Sequence, residues 1–226
     1  SSYATILQLY RLYGSSLYGV YPKTLHFHQS SKQSRKEAEA LFSKKVELLK
    51  FMKYIEGEKL TQKGHFASNL YGYELPLGEL FSQGYLEPLN EMELNILVCG
   101  LVFEPRKNTP PPALSRTAKK IQSLAREITK QIYSIEKGFR MRTYTKTPAF
   151  HLAPAIEAYT KGLEFGKILD FVKEDEGEIV RCFRMVIQVL RELRAEKSLS
   201  IEFRNRVHHC ISLIDRDVID AERELR

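Results

Sequence analysis

Apolar residues recur every three to four positions through most of this chain, a period that helices satisfy and strands do not. The clearest case is residues 177–197, where Ile179, Phe183, Val186, Ile187, Leu190 and Leu193 form one stripe. Residues 115–138 repeat the pattern with Ile121, Leu124, Ala125, Ile128, Ile132 and Ile135. Residues 35–55 do so with Ala38, Leu41, Phe42, Val46, Leu49 and Met52. Further helices are expected at 2–13, 61–70, 74–83, 91–103, 150–163, 164–173 and 200–223. A mainly α fold follows, in which residues 71–226 read as a bundle of six to seven helices.

The period breaks near the start of the chain. A second apolar segment, Leu17 to Phe27, follows the Gly14-Ser15-Ser16 break, and residues 54–60 place a Glu-Gly-Glu turn between apolar ends, the pattern of a short hairpin. Thr61 then suits the cap of a helix. Helix, helix, helix, hairpin is the order of a winged-helix module, expected over residues 1–70. The other break is Glu104 to Ser115, where Pro110-Pro111-Pro112 removes donors and fixes φ, so that this stretch is a loop.

Charge sits unevenly on this frame. The whole chain carries a formal +7, yet residues 106–146 alone hold eleven Lys/Arg against Glu127 and Glu136. Helical spacing turns Lys119, Arg126 and Lys130 away from the apolar stripe of 115–138. On 177–197, Arg181, Arg184 and Arg191 fall on or beside the solvent side. Guanidinium groups bind phosphates bidentately and stack on bases, so both surfaces are candidates for nucleic acid. A solvated helix face has the same appearance.

Catalytic chemistry finds little support. Gly162 to Gly166-Lys167 is one residue short of a phosphate loop and has Ile168 where a magnesium-binding hydroxyl belongs. Asp175-Glu176 precedes Gly177-Glu178 rather than completing a DExH box, and with Glu174 and Glu178 it suits a helix N-terminus. His26 and His28 diverge, and the adjacent His208 and His209 cannot share one ion, so no metal site is expected. Cys99, Cys182 and Cys210 are few, widely spaced and apolar in setting, which points to buried thiols in a reducing cytoplasm. The longest apolar run, Ile96 to Phe103, is too short for a membrane span. The mixed charges of Asp215 to Arg226 read as a solvated helix face. A start without Met fits a fragment of a longer protein.

Short motifs set in a fixed order resemble one family. Leu60-Thr61-Gln62-Lys63-Gly64 is followed by Glu74-Leu75-Pro76-Leu77-Gly78-Glu79-Leu80-Phe81 and by Val102-Phe103-Glu104. Ala155 through Tyr159-Thr160-Lys161-Gly162 to Phe165 comes next, with Tyr159 where the family often has Trp. Glu176-Gly177-Glu178-Ile179-Val180-Arg181 and Arg216-Asp217-Val218-Ile219 complete the series. The set is similar to the DSHCT domain of superkiller-type (Ski2-like) DExH-box RNA helicases, and Ser2 to Leu9 resembles the start of their winged-helix domain. Only about Gln29 to Arg35 occupies the place of the arch insertion found in eukaryotic members, so the resemblance is to arch-less, bacterial-type members.

The resemblance implies a non-catalytic C-terminal domain that lines a single-strand RNA channel. Arg181 would match the family Arg that approaches RNA bases, and Glu79 would lie in the other channel-side helix. Helical spacing adds Arg184 and Arg191 to that surface. The implied partners are single-stranded RNA and the ATPase lobes of the same polypeptide. ATP and magnesium would act only with those lobes, so this chain alone is not an enzyme. The rival readings are a basic protein-interaction scaffold and a winged-helix DNA regulator. Residues 35–55, the recognition helix of that last reading, mix Lys44, Lys45, Lys50 and Lys53 with Glu37, Glu39 and Glu47.

Overall fold

The computed structural model describes residues 2–20 and 32–220. The far end of the second apolar segment, His26, His28, the stretch 29–31 and the tail beyond residue 220 lie outside them. The described chain is mainly helical and divides into two compact units.

The first unit comprises residues 2–20, 32–83 and 131–145 of the described chain. Helix α1 (Tyr3–Tyr13) begins at Ser2, whose hydroxyl accepts from the Thr5 N–H at 3.1 Å, and buries Ala4, Ile6, Leu7 and Tyr10. After the turn Gly14–Ser16 comes the single turn α2 (Leu17–Val20), then α3 (Lys32–Phe51), which buries Phe42, Val46, Leu48 and Leu49. Lys53, at φ +63°, ends that run. Strands β1 (Ile55–Glu56) and β2 (Lys59–Leu60) pair antiparallel, Ile55 opposite Leu60. Gly57 makes the turn at φ +58°, and its carbonyl accepts from the Tyr10 hydroxyl at 3.0 Å.

Helices α4 (Gln62–Ala67) and α5 (Glu74–Ser82) follow and pack together, with Phe66 stacked on Phe81 at 4.2 Å between ring centroids. Thr61 caps α4, accepting from the Gly64 N–H at 3.1 Å. Segment 131–145 is held to α1 through Glu136. That carboxylate accepts from the Tyr3 hydroxyl at 3.1 Å and from the Thr145 N–H at 2.6 Å.

The second unit comprises residues 84–130 and 146–220 of the described chain. Its most buried helix is α6 (Glu91–Val102), started by a capping box in which Asn90 and Glu93 bond each other's N–H groups. Gly100 lets the Phe150 ring come so near that an added Cβ would lie 2.6 Å from it. The proline loop then leads to α7 (Arg116–Gly138), whose residues from Gln131 on belong to the first unit. Ser115 caps it, accepting from the Ala118 N–H at 3.0 Å and donating to Glu157 Oε1 at 2.6 Å.

Helices α8 (Ala153–Thr160), α9 (Phe165–Ile168), α10 (Glu176–Ala195) and α11 (Ile201–Ile214) complete the unit. Around α6 they bury Ile156, Tyr159, Phe183, Leu190, Phe203 and Val207.

Four helices are shorter than their spacing predicts: 61–70 is reduced to α4 (Gln62–Ala67) and 150–163 to α8 (Ala153–Thr160), and two more stop further short. The expected helix over 164–173 is the single turn α9 followed by the tight turn Leu169–Phe171. The expected helix over 200–223 stops at Ile214. There Arg216 leaves the helical path and sets its guanidinium 3.8 Å from the centre of the Tyr159 ring. Its Nη2 donates to the carbonyls of Tyr159 and Leu163 at 2.7 and 2.8 Å, and the Tyr159 hydroxyl donates to the Arg216 carbonyl at 2.8 Å. Apolar periodicity carries no trace of a polar anchor of this kind.

Candidate nucleic-acid interface

Helix α10 presents two unlike faces. Ile179, Phe183, Val186, Ile187, Leu190 and Leu193 are buried. At steps of four, three, four and three, Gly177, Arg181, Arg184, Gln188 and Arg191 form one line on the other side. The helix starts at Asp175, and Glu176 and Glu178 in its first turn suit the positive end of its dipole. Arg106 draws off much of that local negative charge, its Nη2 lying 2.6 Å from Asp175 and its Nε 3.1 Å from Glu178.

The cations of this line are not equivalent. Arg184 donates from Nη2 to the Val218 carbonyl at 2.9 Å and from Nε to the Ile219 carbonyl at 3.2 Å, and so holds the turn Asp217–Ile219. Arg191 pairs with Asp215 at 3.2 Å. Arg181 is exposed, and no carboxylate among the described residues neutralises it. One turn earlier, a side chain at Gly177 would meet no atom within 4 Å. A shallow depression of about 400 Å³ runs along Gly177, Val180, Arg181, Arg184, Met185 and Gln188. It offers guanidinium and amide donors beside an apolar floor, a chemistry suited to a base and its phosphate.

Glu79 belongs to the first unit and is buried there. Its Oε1 lies 2.5 Å from the Lys63 ammonium and accepts from the Tyr54 hydroxyl at 2.9 Å, while Oε2 accepts from Gln83 at 3.3 Å. Burial pushes the Tyr54 phenol well above its ordinary value, and the neighbouring Glu79 charge adds to the rise. Lys63 also donates to the Met52 carbonyl at 2.8 Å and lies 4.3 Å from the centre of the Tyr54 ring. The work of Glu79 in this unit is to neutralise a nearly buried ammonium.

Lys119, Arg126 and Lys130 are exposed on α7, opposite the buried Ile121, Ala125 and Ile128. Three further cations of the basic segment are occupied: Lys120 lies 2.6 Å from Glu93 and Arg142 2.9 Å from Glu37, and Lys146 is paired with Glu104.

Among the described residues no three His, Cys, Asp or Glu side chains are grouped to hold a metal ion. His208 Nδ1 lies 3.0 Å from Arg194, and His209 Nδ1 2.9 Å from Glu91. The three cysteines are buried and free, with the Sγ atoms of Cys99 and Cys182 3.9 Å apart. No described helix is long and apolar enough to cross a membrane.

The order of motifs along these helices is that of a known domain, and the DSHCT (NUC185) domain family matches residues 57–222. This chain belongs to the DSHCT family. The chain is similar to the human exosome RNA helicase MTR4, 25% identical over 168 residues, which are 72% of this chain and 16% of MTR4. The antiviral helicase SKI2 of Saccharomyces cerevisiae is 26% identical over 195 residues, 80% of this chain and 15% of SKI2. The ATP-dependent RNA helicase DExH9 of Arabidopsis thaliana is 23% identical over 181 residues, 77% and 18% of the two chains. The DSHCT chain thus spans less than a fifth of the length of these relatives.

Several residues of the α10 surface escape a reading of charge alone. Gly177, Met185 and Gln188 lie four residues from Arg181 on either side or one turn further on, so helical spacing from Arg181 was the signal that could have found them. The clamps of Arg184 on the last turn and of Arg216 on Tyr159 leave no such signal, because their acceptors are backbone carbonyls.

Proposed function

We propose that this DSHCT domain is a non-catalytic part of an ATP-dependent RNA helicase, in which the α10 line forms one wall of the path of a single RNA strand. Arg181 carries the reading: it is exposed, lacks a carboxylate partner among the described residues, and has open space beside Gly177. Its planar guanidinium would stack on a base or fork onto a phosphate without reading sequence. Arg184 and Arg191 would shape and charge the wall while holding the chain around residues 215–219. The buried Glu79 would hold Lys63 within the first unit rather than touch the strand. Residues 1–70 would serve as a winged-helix brace and 71–226 as the helical bundle, in the arch-less arrangement. ATP and magnesium would be bound by ATPase lobes outside this chain, in a cytoplasmic protein.

Fluorescence anisotropy with labelled single-stranded RNA, single-stranded DNA and duplex DNA, between about 50 and 200 mM salt, tests this. Single-strand preference is expected, with a loss of roughly 5- to 50-fold on Arg181→Ala if one stacking contact disappears. Equal binding of duplex and single strand, or an unchanged affinity in Arg181→Ala, would overturn the reading.

A further inference from the structure

The basic segment 106–146 holds more positive charge than its carboxylate partners among the described residues take up, and the structure separates some of its members. In the second unit, Arg106, Lys120 and Lys146 are held by carboxylates. Lys119, Arg126 and Lys130 have no such partner among the described residues, and all three are exposed. With Ser123 they follow one another at steps of four, three and four along α7. At 100° per residue these steps keep all four side chains within about 60° of arc, spread over roughly 16 Å of helix axis. Glu127 borders the row, about 40° beyond Ser123 on the side away from Arg126. The opposite face is the buried stripe of Ile121, Ala125 and Ile128, so the row cannot turn inward.

We infer that this row, Lys119, Ser123, Arg126 and Lys130, is a second phosphate-binding surface that grips the backbone of a single RNA strand independently of the α10 line. Every member donates hydrogen bonds, and three carry positive charge, so the matching ligand presents negatively charged acceptors at short, regular intervals. A nucleic-acid backbone does this, with one phosphate per about 3.4 Å along each strand of a duplex and a flexible spacing in a single strand. No aromatic side chain interrupts the row, so its grip is blind to the bases, whereas the α10 line offers guanidinium planes beside an apolar floor. The choice of RNA over an acidic protein rests on the RNA path proposed above. The existence of a polyanion-binding row rests on the α7 geometry.

The test uses the whole 226-residue chain, a labelled single-stranded RNA, and an abasic strand of the same length. Lys119→Glu/Arg126→Glu/Lys130→Glu and the neutral Lys119→Gln/Arg126→Gln/Lys130→Gln are compared with the parent and with Arg181→Ala. Unchanged circular dichroism melting shows that the surface variants fold. Losing three phosphate contacts should make the log–log salt slope shallower by about 2, at about 0.7 per contact. The loss should be the same on the base-bearing and the abasic strand. Arg181→Ala should instead weaken the base-bearing strand more than the abasic one. If the α7 variants lose slope while Arg181→Ala binds like the parent, the row stands and the α10 reading falls. An unchanged slope and affinity in both α7 variants would overturn the row whatever Arg181→Ala does. So would a parent that binds neither strand at about 50 mM salt.

Discussion

The Lys63 ammonium lies 2.5 Å from Glu79 Oε1, an ion pair that joins the Leu60–Gly64 motif to the Glu74–Phe81 motif. Both side chains are nearly closed off from solvent, at 13% and 11% exposure, so neither charge has water to fall back on. Glu79→Ala strips the ammonium of its counter-charge and the Tyr54 hydroxyl of its acceptor, leaving Lys63 the Met52 carbonyl and the Tyr54 ring. A loss of about 2–4 kcal/mol is expected in urea unfolding. Glu79→Gln, which still accepts from Tyr54, should lose less. Lys63→Met/Glu79→Leu should recover most of the loss, because removing both charges removes the desolvation cost as well.

Gly64 in the same motif has a different task. An added Cβ there would stand 2.0 Å from the Tyr54 carbonyl oxygen, a backbone atom of the segment that enters the hairpin. Gly64→Ala is therefore expected to cost about 3 kcal/mol or more, at the upper end of overpacking effects. Gly177→Ala serves as the control: nothing lies within 4 Å of its added carbon, and helix propensity favours Ala by up to about 1 kcal/mol. Denaturation midpoints should move in opposite directions for the two variants.

These two contacts show which parts of the molecule the sequence made legible. Apolar spacing located α1, α3, α7 and α10 to within a few residues, because each buries a continuous stripe. Turn chemistry located the Gly57 hairpin and the Thr61 cap, because those residues act on their own neighbourhood. The motifs were visible as strings, but their reasons were not. Lys63 meets Glu79, and Arg216 meets Tyr159, across gaps that no local period spans. At the candidate interface, charge marked Arg181, Arg184 and Arg191 alike. Which of them is occupied depends on how the chain after Ile214 returns to α10, a purely tertiary fact.

That difference separates Arg184 from Arg181 in stability. Arg184→Ala frees the Val218 and Ile219 carbonyls and loosens the turn that buries Ile219, at a cost of about 1–2 kcal/mol. Arg181→Ala removes a side chain with no partner among the described residues, and should stay within about 0.5 kcal/mol of the parent. Urea titration of both variants checks the split. Equal losses would place Arg181 in the fold rather than on a free surface.

Glu74 gives the first unit a pH dependence of definite sign. Its Oε1 accepts from the Ala4 N–H at 2.8 Å at the start of α1. Burial pushes its carboxyl above the ordinary 4.5, a rise only partly offset by backbone hydrogen bonds, Ala4 among them, and by the Lys45 charge. A carboxyl with a raised folded-state pKa is favoured in its neutral form by the fold. Its contribution is complete below the unfolded value of 4.5 and is lost as pH rises through the higher folded value. Glu74→Gln keeps an acceptor for Ala4 and cannot ionise, so it removes this dependence. From about pH 4 to pH 7 the parent should lose stability relative to Glu74→Gln, read as diverging urea midpoints. A parent that gains on the variant over the same range would mean that the hydrogen bonds to the charged form outweigh the cost of burying it.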